Sequence, residues 1–75
     1  MEGEIRINAR GLSVPGPRLM VESALEKGRP GVMRVVVSSD ESARDVSGYL
    51  AGCGAAIEID QVGNEFHVIA RFSSA

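Results

Sequence analysis

Few side chains in this sequence could carry out chemistry. The 75 residues include a single cysteine, Cys53, and a single histidine, His67. A thiol could accept sulfur and an imidazole could act as a general base, but a zinc site needs more ligands than these two, so we expect no metal. No motif fixes a nucleophile beside His67, so we interpret it as a solvated strand residue. A lone cysteine cannot form an internal disulfide, which favours a reducing, cytoplasmic compartment.

The pattern around Cys53 favours packing over chemistry. Four small or apolar residues recur at spacings of three, four and three, which is typical of one helix face: Ala43, Val46, Leu50 and Cys53. The negative end of a helix dipole would also disfavour a thiolate at this position. We therefore interpret Cys53 as a residue of the packed face, with a reactive thiol as the alternative.

A row of basic side chains is predicted on one face of a sheet. Alternation along the strands places four residues there: Arg6, Arg34, His67 and Arg71. Such a row could hold RNA phosphates. Glu58 and Asp60 project to the same face, however, and the face lacks aromatic residues that stack bases. We interpret it as a solvated face of mixed charge, with RNA binding as a weak alternative, while Val36 and Ile69 leave partner docking or self-association open.

Periodicity predicts six elements that position these residues. Alternating patterns predict strands at 4–8, 56–62 and 65–72, and a β-branched run predicts a more buried strand at 32–38. Gly63-Asn64 is typical of a two-residue hairpin turn between the last two strands.

Helical spacing and end signals predict two helices. The first runs from Arg18 to Lys27, with Pro17 at its opening and Gly28 at its stop. The second begins at Ser39-Asp40-Glu41, where a hydroxyl and acids suit a helix start, and closes at Gly54. The order β-α-β-α-β-β implies an α/β (α+β) two-layer sandwich, with two helices on one face of a four-stranded mixed sheet.

Length, charge and hydropathy restrict the class of protein. Seventy-five residues allow one domain, predicted over 1–75 with a frayed tail at 73–75. A hydrophobic content of 44% argues against disorder, and a net charge of −2 gives no general attraction to nucleic acid or acidic membranes. No apolar run reaches the roughly 18 residues of a membrane span. The N-terminus lacks the basic-then-apolar layout of a signal peptide.

The segment after the first strand resembles a known signature. Residues 8–17 read NARGLSVPGP. This is similar to the motif of the TusA/SirA-like sulfur-carrier family, roughly D-x-x-G-x-x-C-P-x-P. The matching residues are Gly11, Leu12, Pro15 and Pro17, with Gly16 between the prolines and Asn8 where the family usually has Asp. The resemblance continues through Glu26-Lys27-Gly28, Pro30-Gly31, Asp45-Val46 and Gly54, and implies the mixed sheet of that family.

The departure from the motif is at its reactive position. Val14 stands where the family has its sulfur-bearing cysteine. In the family, this thiol takes a persulfide sulfur from a cysteine desulfurase and passes it to a protein partner. Valine has no sulfur, lone pair or ionisable proton. The alternative to a packed Cys53 is therefore a relocated sulfur carrier at that position. The resemblance thus implies sulfur trafficking, protein partners from a sulfur relay and no cofactor, but it does not decide whether the chain is an enzyme.

Three interpretations of Val14 stand side by side. It is a structural loop residue of a divergent paralogue, an engineered replacement of a cysteine, or the mark of a changed role in which partners are bound but sulfur is not carried. The main hypothesis is a family member in persulfide relay, tRNA thiolation, sulfur oxidation or selenium-linked metabolism that cannot carry sulfur at position 14. The alternative is an interaction module that docks through the 11–17 loop or the open sheet face.

Overall fold

The computed structural model describes residues 3–73 and has the predicted element order. The elements are β1 (Glu4–Asn8), α1 (Gly16–Leu25), β2 (Val32–Val37), α2 (Asp40–Gly52), β3 (Ala56–Val62) and β4 (Glu65–Arg71). The sheet order is β1-β2-β4-β3. β1 pairs parallel with β2, and β4 pairs antiparallel with both β2 and β3. The predicted fold class, two helices on a four-stranded mixed sheet, is confirmed.

The strands follow the predicted alternation closely. β1 and β3 have the predicted bounds, while β2 and β4 end at Val37 and Arg71, each one residue earlier than expected. Gly63 has a φ of 60° at the first central position of the hairpin turn, a conformation that glycine adopts without steric cost. Of the tail that we expected to fray, 74–75 lie outside the described residues.

Helix α1 is shifted toward the N-terminus relative to the prediction from Arg18 to Lys27. It begins at Gly16, whose N–H donates to the Ser13 carbonyl at 2.7 Å, so the chain is already turning before Pro17. It ends at Leu25, after which the Lys27 N–H reaches back three residues, to the Ala24 carbonyl at 3.1 Å. Such bonds tighten the last turn and satisfy carbonyls that an α-helix end leaves free.

Helix α2 carries the predicted cap. The Ser39 hydroxyl accepts a hydrogen bond from the Ser42 N–H at 3.1 Å, and Asp40 and Glu41 occupy the first turn, near the positive end of the dipole. At the other end, Gly54 leaves the helix with a φ of 92°.

The core lies between the two helices and the inner strands of the sheet. Its largest fully buried hydrophobic side chains are Met33, Leu50, Val21, Val35, Val37, Val46 and Val68. Cys53 is not part of it, and its predicted place on the packed face is wrong: the residue is half-buried. The physical reason is that α2 ends at Gly52: Cys53 is its C-cap, at the end of the helix and beyond Leu50, the last core residue of α2.

The four residues of the basic row share the face of the sheet opposite the helices, as predicted. Arg6, Arg34 and Ile69 are successive cross-strand partners, and Val36 and His67 pair directly on the same face. Val36 and Ile69 retain only 7% and 4% of their exposure. Long polar side chains therefore shield the apolar centre of this face.

We predict that Leu50→Ala lowers the free energy of unfolding by about 2–5 kcal/mol, because it removes a fully buried side chain and leaves a cavity. Urea denaturation followed by circular dichroism measures the change. The matched control is Val62→Ala, at an exposed strand position, which should change stability by about 0.5 kcal/mol or less. Equal losses in the two variants would contradict the placement of the core under α2.

Candidate functional site

Residues 11–17, here called the motif loop, connect β1 to α1 and are fastened by neighbouring elements. The Gly11 N–H donates to the Ser38 hydroxyl at 2.9 Å, just beyond β2. The Ser42 hydroxyl of α2 donates to the Leu12 carbonyl at 3.5 Å. Gly11 has a φ of 80°, which favours glycine at this turn. Hydrogen bonds between the loop backbone and two serine hydroxyls, one just after β2 and one in α2, therefore hold the first half of the loop.

A side-chain ion pair fixes the chain just before the motif loop. Arg10 contacts the Glu65 carboxylate through two nitrogens, with Nη2 at 3.1 Å from Oε1. The hydrogen bond from Arg10 lowers the pKa of the Glu65 carboxyl below its usual range, and the same bond raises the pKa of the guanidinium. The pairing joins the loop to β4, because Glu65 is the first residue of that strand.

Val14 lies at the start of α1, with its side chain half-buried. The Val14–Pro15 peptide bond is cis, and Pro15 is the N-cap of the helix without a side-chain cap. The Pro15 carbonyl accepts from the Leu19 N–H at 3.0 Å, and Pro17 is buried in the first turn. Position 14 is therefore next to the positive end of the α1 dipole.

Exposed apolar side chains lie close to Val14 in the chain, on the motif loop and the first turns of α1. We call the following set the loop patch: Leu12, Val14, Pro15, Leu19 and Met20. Leu12 and Leu19 are 42% and 52% exposed. Leu12 lies against Gly16, where a side chain would come within 3.3 Å of the Leu12 Cβ. Met20 is 38% exposed.

The half-buried Cys53 lies far from the motif loop. Ser42, near the start of α2, touches Leu12, whereas Cys53 caps the other end of the helix. Eleven residues of helix separate the two positions, which corresponds to about 16 Å. The Cys53 carbonyl accepts from Arg29 Nη1 at 2.9 Å. Burial raises the pKa of Tyr49, and a hydrogen bond with the Cys53 thiol raises it further. Cys53 therefore cannot occupy the place of a thiol at position 14.

The arginines of the basic row contact glutamate carboxylates or the His67 imidazole. Arg6 and Arg34 both contact Glu4, at 3.5 and 3.4 Å, and Arg71 contacts Glu58 at 3.1 Å. Arg34 Nη1 lies 3.3 Å from His67 Nδ1. The structure brings Arg34 and His67 together as the alternation predicts, but pairing with glutamates reduces the positive charge that the row presents to a phosphate.

His67 connects the basic row to the anchor of the motif loop. Its Nε2 is buried, has no hydrogen-bond partner among residues 3–73, and lies 3.6 Å from a Glu65 oxygen. Sequence reasoning missed the Arg10–Glu65 pair. Only the strand order could have predicted this pair. Because β4 pairs antiparallel with β2, the end of β1 and the start of β4 lie at the same end of the sheet.

Comparison with known proteins places the fold and motif in a family. The sequence model of the family described as Sulfurtransferase TusA matches residues 5–71. The chain belongs to the TusA family. The match includes the whole motif loop and associates this TusA-family protein with sulfur trafficking.

A solved structure shows the same fold. A SirA-like protein from Desulfitobacterium hafniense matches with a TM-score of 0.79 and 24% sequence identity, over 89% of this chain and 95% of that one. A search of the curated proteins found no match. None of the helices within residues 3–73 is long and apolar enough to cross a membrane.

We predict that Glu65→Gln lowers stability at pH 7 but has a much smaller effect at pH 3. The pKa of Glu65 is depressed in the folded state, so its stabilisation is complete above the ordinary carboxyl pKa and is lost as pH falls through the lowered value. Urea midpoints of the parent and the variant at both pH values measure this difference.

The matched control for this titration is Asp60→Asn, because Asp60 has no ion pair within residues 3–73. It should shift the urea midpoint little at pH 7. An equal loss of stability for Glu65→Gln at pH 7 and pH 3 would show that the carboxylate charge is not what anchors Arg10.

Proposed function

We propose that this chain serves sulfur trafficking as a docking member of a sulfur relay, and that it does not carry sulfur at position 14. Its partners are the proteins that donate or receive persulfide sulfur, and the loop patch is the surface that they contact. The observation that carries the proposal is an intact, fastened motif loop with a valine at its reactive position.

The chemistry of persulfide transfer explains why valine matters. An acceptor thiolate attacks the outer sulfur of the donor's persulfide, the donor's S–S bond breaks, and the donor leaves as a thiolate. The acceptor must therefore supply a lone pair and lose a proton. The methyl groups of Val14 can do neither. Cys53, half-buried at the far end of α2, does not replace the missing thiol.

The contacts of the loop support docking as the function that remains. None of the anchoring bonds of the loop uses the Val14 side chain: they involve the Gly11 N–H, the Leu12 carbonyl and the Arg10 guanidinium. These anchoring bonds therefore require no particular side chain at position 14. Around it, exposed leucines offer an apolar area that a partner can desolvate, and burial of apolar surface is the dominant favourable term in most protein association.

We predict that Val14→Cys, in a Cys53→Ser background, gains one sulfur atom after incubation with a cysteine desulfurase and cysteine. The new thiol should have a pKa below the free value of about 8.5, because it lies at the positive end of α1. Stability should fall by about 1 kcal/mol or less, since valine loses little buried volume. Intact mass and the pH dependence of alkylation are the measurements.

The controls separate the loop from the rest of the chain. Val14→Ser in the same background replaces the thiol of the cysteine variant with a hydroxyl of similar size and should gain no sulfur. The parent protein should gain none either. If the cysteine variant stays unloaded and titrates as a free thiol, the motif loop is not a carrier scaffold. If the parent protein loads sulfur on Cys53, the docking role without sulfur carriage is wrong.

We also predict that Leu19→Asp weakens binding to a cysteine desulfurase by about tenfold or more, roughly 1.4 kcal/mol, because it buries a charge in an apolar contact. Isothermal titration calorimetry measures the dissociation constant. The matched control is Val62→Asp, an exposed apolar residue of β3, which should leave binding within about twofold. Equal weakening by both variants would mean that partners do not dock on the loop patch.

A further inference from the structure

The two edge strands of the sheet differ in what they offer a partner. The order β1-β2-β4-β3 leaves one side of β1 and one side of β3 without a neighbouring strand among residues 3–73. β3 is seven residues long, contains no proline, and is exposed at every position except Ile57. Along such an edge, alternate backbone N–H and C=O groups point outward and can pair with an added strand.

The side chains of β3 divide cleanly between the two faces. Glu58 and Asp60 lie on the face opposite the helices, and Ile57 and Ile59 lie on the helix side. Ile59 is 45% exposed, so the helices do not cover the sheet as far as this strand. Glu58 contacts Arg71 at 3.1 Å, while Asp60 has no ion pair in the described part of the chain. The edge therefore presents apolar area on one face and, on the other, the unpaired Asp60 beside Glu58, whose charge Arg71 partly offsets.

A second copy of this chain fits the β3 edge poorly. In a twofold antiparallel pairing, residues on the same face lie opposite each other, so the pairing is centred on a residue, and the registers that pair at least five residues of β3 are centred on residue 58, 59 or 60. These centres place Glu58 opposite Glu58, Glu58 opposite Asp60, or Asp60 opposite Asp60. Like charges directly opposite each other destabilise a strand pair. Each central register of self-pairing is thus penalised.

We propose that the outer edge of β3 binds an extended basic segment of another protein as an added fifth strand. Lysine or arginine at alternate positions of that segment pairs with Glu58 and Asp60, and apolar residues between them cover Ile57 and Ile59. β1 is the poorer edge for such a segment, because it is shorter and its outer face mixes Glu4 with Arg6.

This docking edge is distinct from the loop patch. β3 and β1 form opposite edges of the sheet, and α1 with the motif loop follows directly from β1. A segment on β3 and a protein on the loop patch can therefore be bound at the same time. The proposal does not rest on the role proposed for the motif loop, since it uses none of its residues.

The test is titration of the full-length protein with capped synthetic peptides, followed by NMR of backbone amides. The alternating peptide Lys-Val-Lys-Val-Lys-Val should shift the amide signals of β3 and slow their hydrogen exchange. A control peptide with the same composition, in which the three lysines precede the three valines (Lys-Lys-Lys-Val-Val-Val), should bind at least tenfold more weakly. N-methylation of the alternating peptide on one edge should abolish binding, because that edge supplies the main-chain hydrogen bonds.

Charge reversal in the protein supplies the matched comparison. Glu58→Lys with Asp60→Lys should weaken binding of the alternating peptide at least tenfold. Glu26→Lys with Glu41→Lys changes the net charge equally, at exposed acids on other elements, and should leave binding within about twofold. Equal affinity of the two peptide orders, or equal weakening by the two double variants, would overturn the proposal and show only unspecific attraction between charges.

Discussion

Two short helices have to cover the apolar face of a four-stranded sheet. The extent of this cover determines which strands are buried and which residues stay exposed. The helices cover the centres of the inner strands β2 and β4 on that face: Met33, Val35 and Val68 have no exposure. The edge strands are not, and Ile5 and Ile59 remain 37% and 45% exposed. Burial thus holds the centre of the sheet, while the edges and the loops at its ends are left for contacts with other molecules.

The motif loop depends on this arrangement more than on its own sequence. Its anchors come from elements that the core brings together: Ser38 after β2, Ser42 in α2 and Glu65 at the start of β4. None of these contacts involves the side chain at position 14. The fold can therefore keep the geometry of a sulfur-carrier loop with or without a thiol, and loss of the nucleophile need not be accompanied by loss of the scaffold.

The sequence was most informative where a local pattern has one structural solution. Alternation defined β1 and β3, and Ser39 with the acids after it defined the start of α2, because period and capping act over a few residues. It was least informative at helix ends. Cys53 continued the apolar spacing of α2 in sequence, but the helix stops one residue before it.

Features that depend on contacts between residues distant in sequence could not be predicted from local patterns. The Arg10–Glu65 pair joins positions 55 apart, and it becomes visible only when the strand order is known. Met20 fits a helical apolar stripe, yet it is 38% exposed, because it lies on a side of α1 that the core does not cover. The arginines of the basic row were placed correctly, but their glutamate partners depend on side-chain conformation.

The sheet order has a consequence for the moment at which the motif loop becomes complete. β4, the last strand in the described chain, occupies an inner position, between β2 and β3. During synthesis on a ribosome, β1, the motif loop, both helices and β3 emerge before the strand that must insert between β2 and β3. The loop appears early, but its anchor at Glu65 arrives late. A nascent chain that stops before β4 lacks both the inner strand and that anchor, so partners that recognise the finished loop would select completed molecules over fragments.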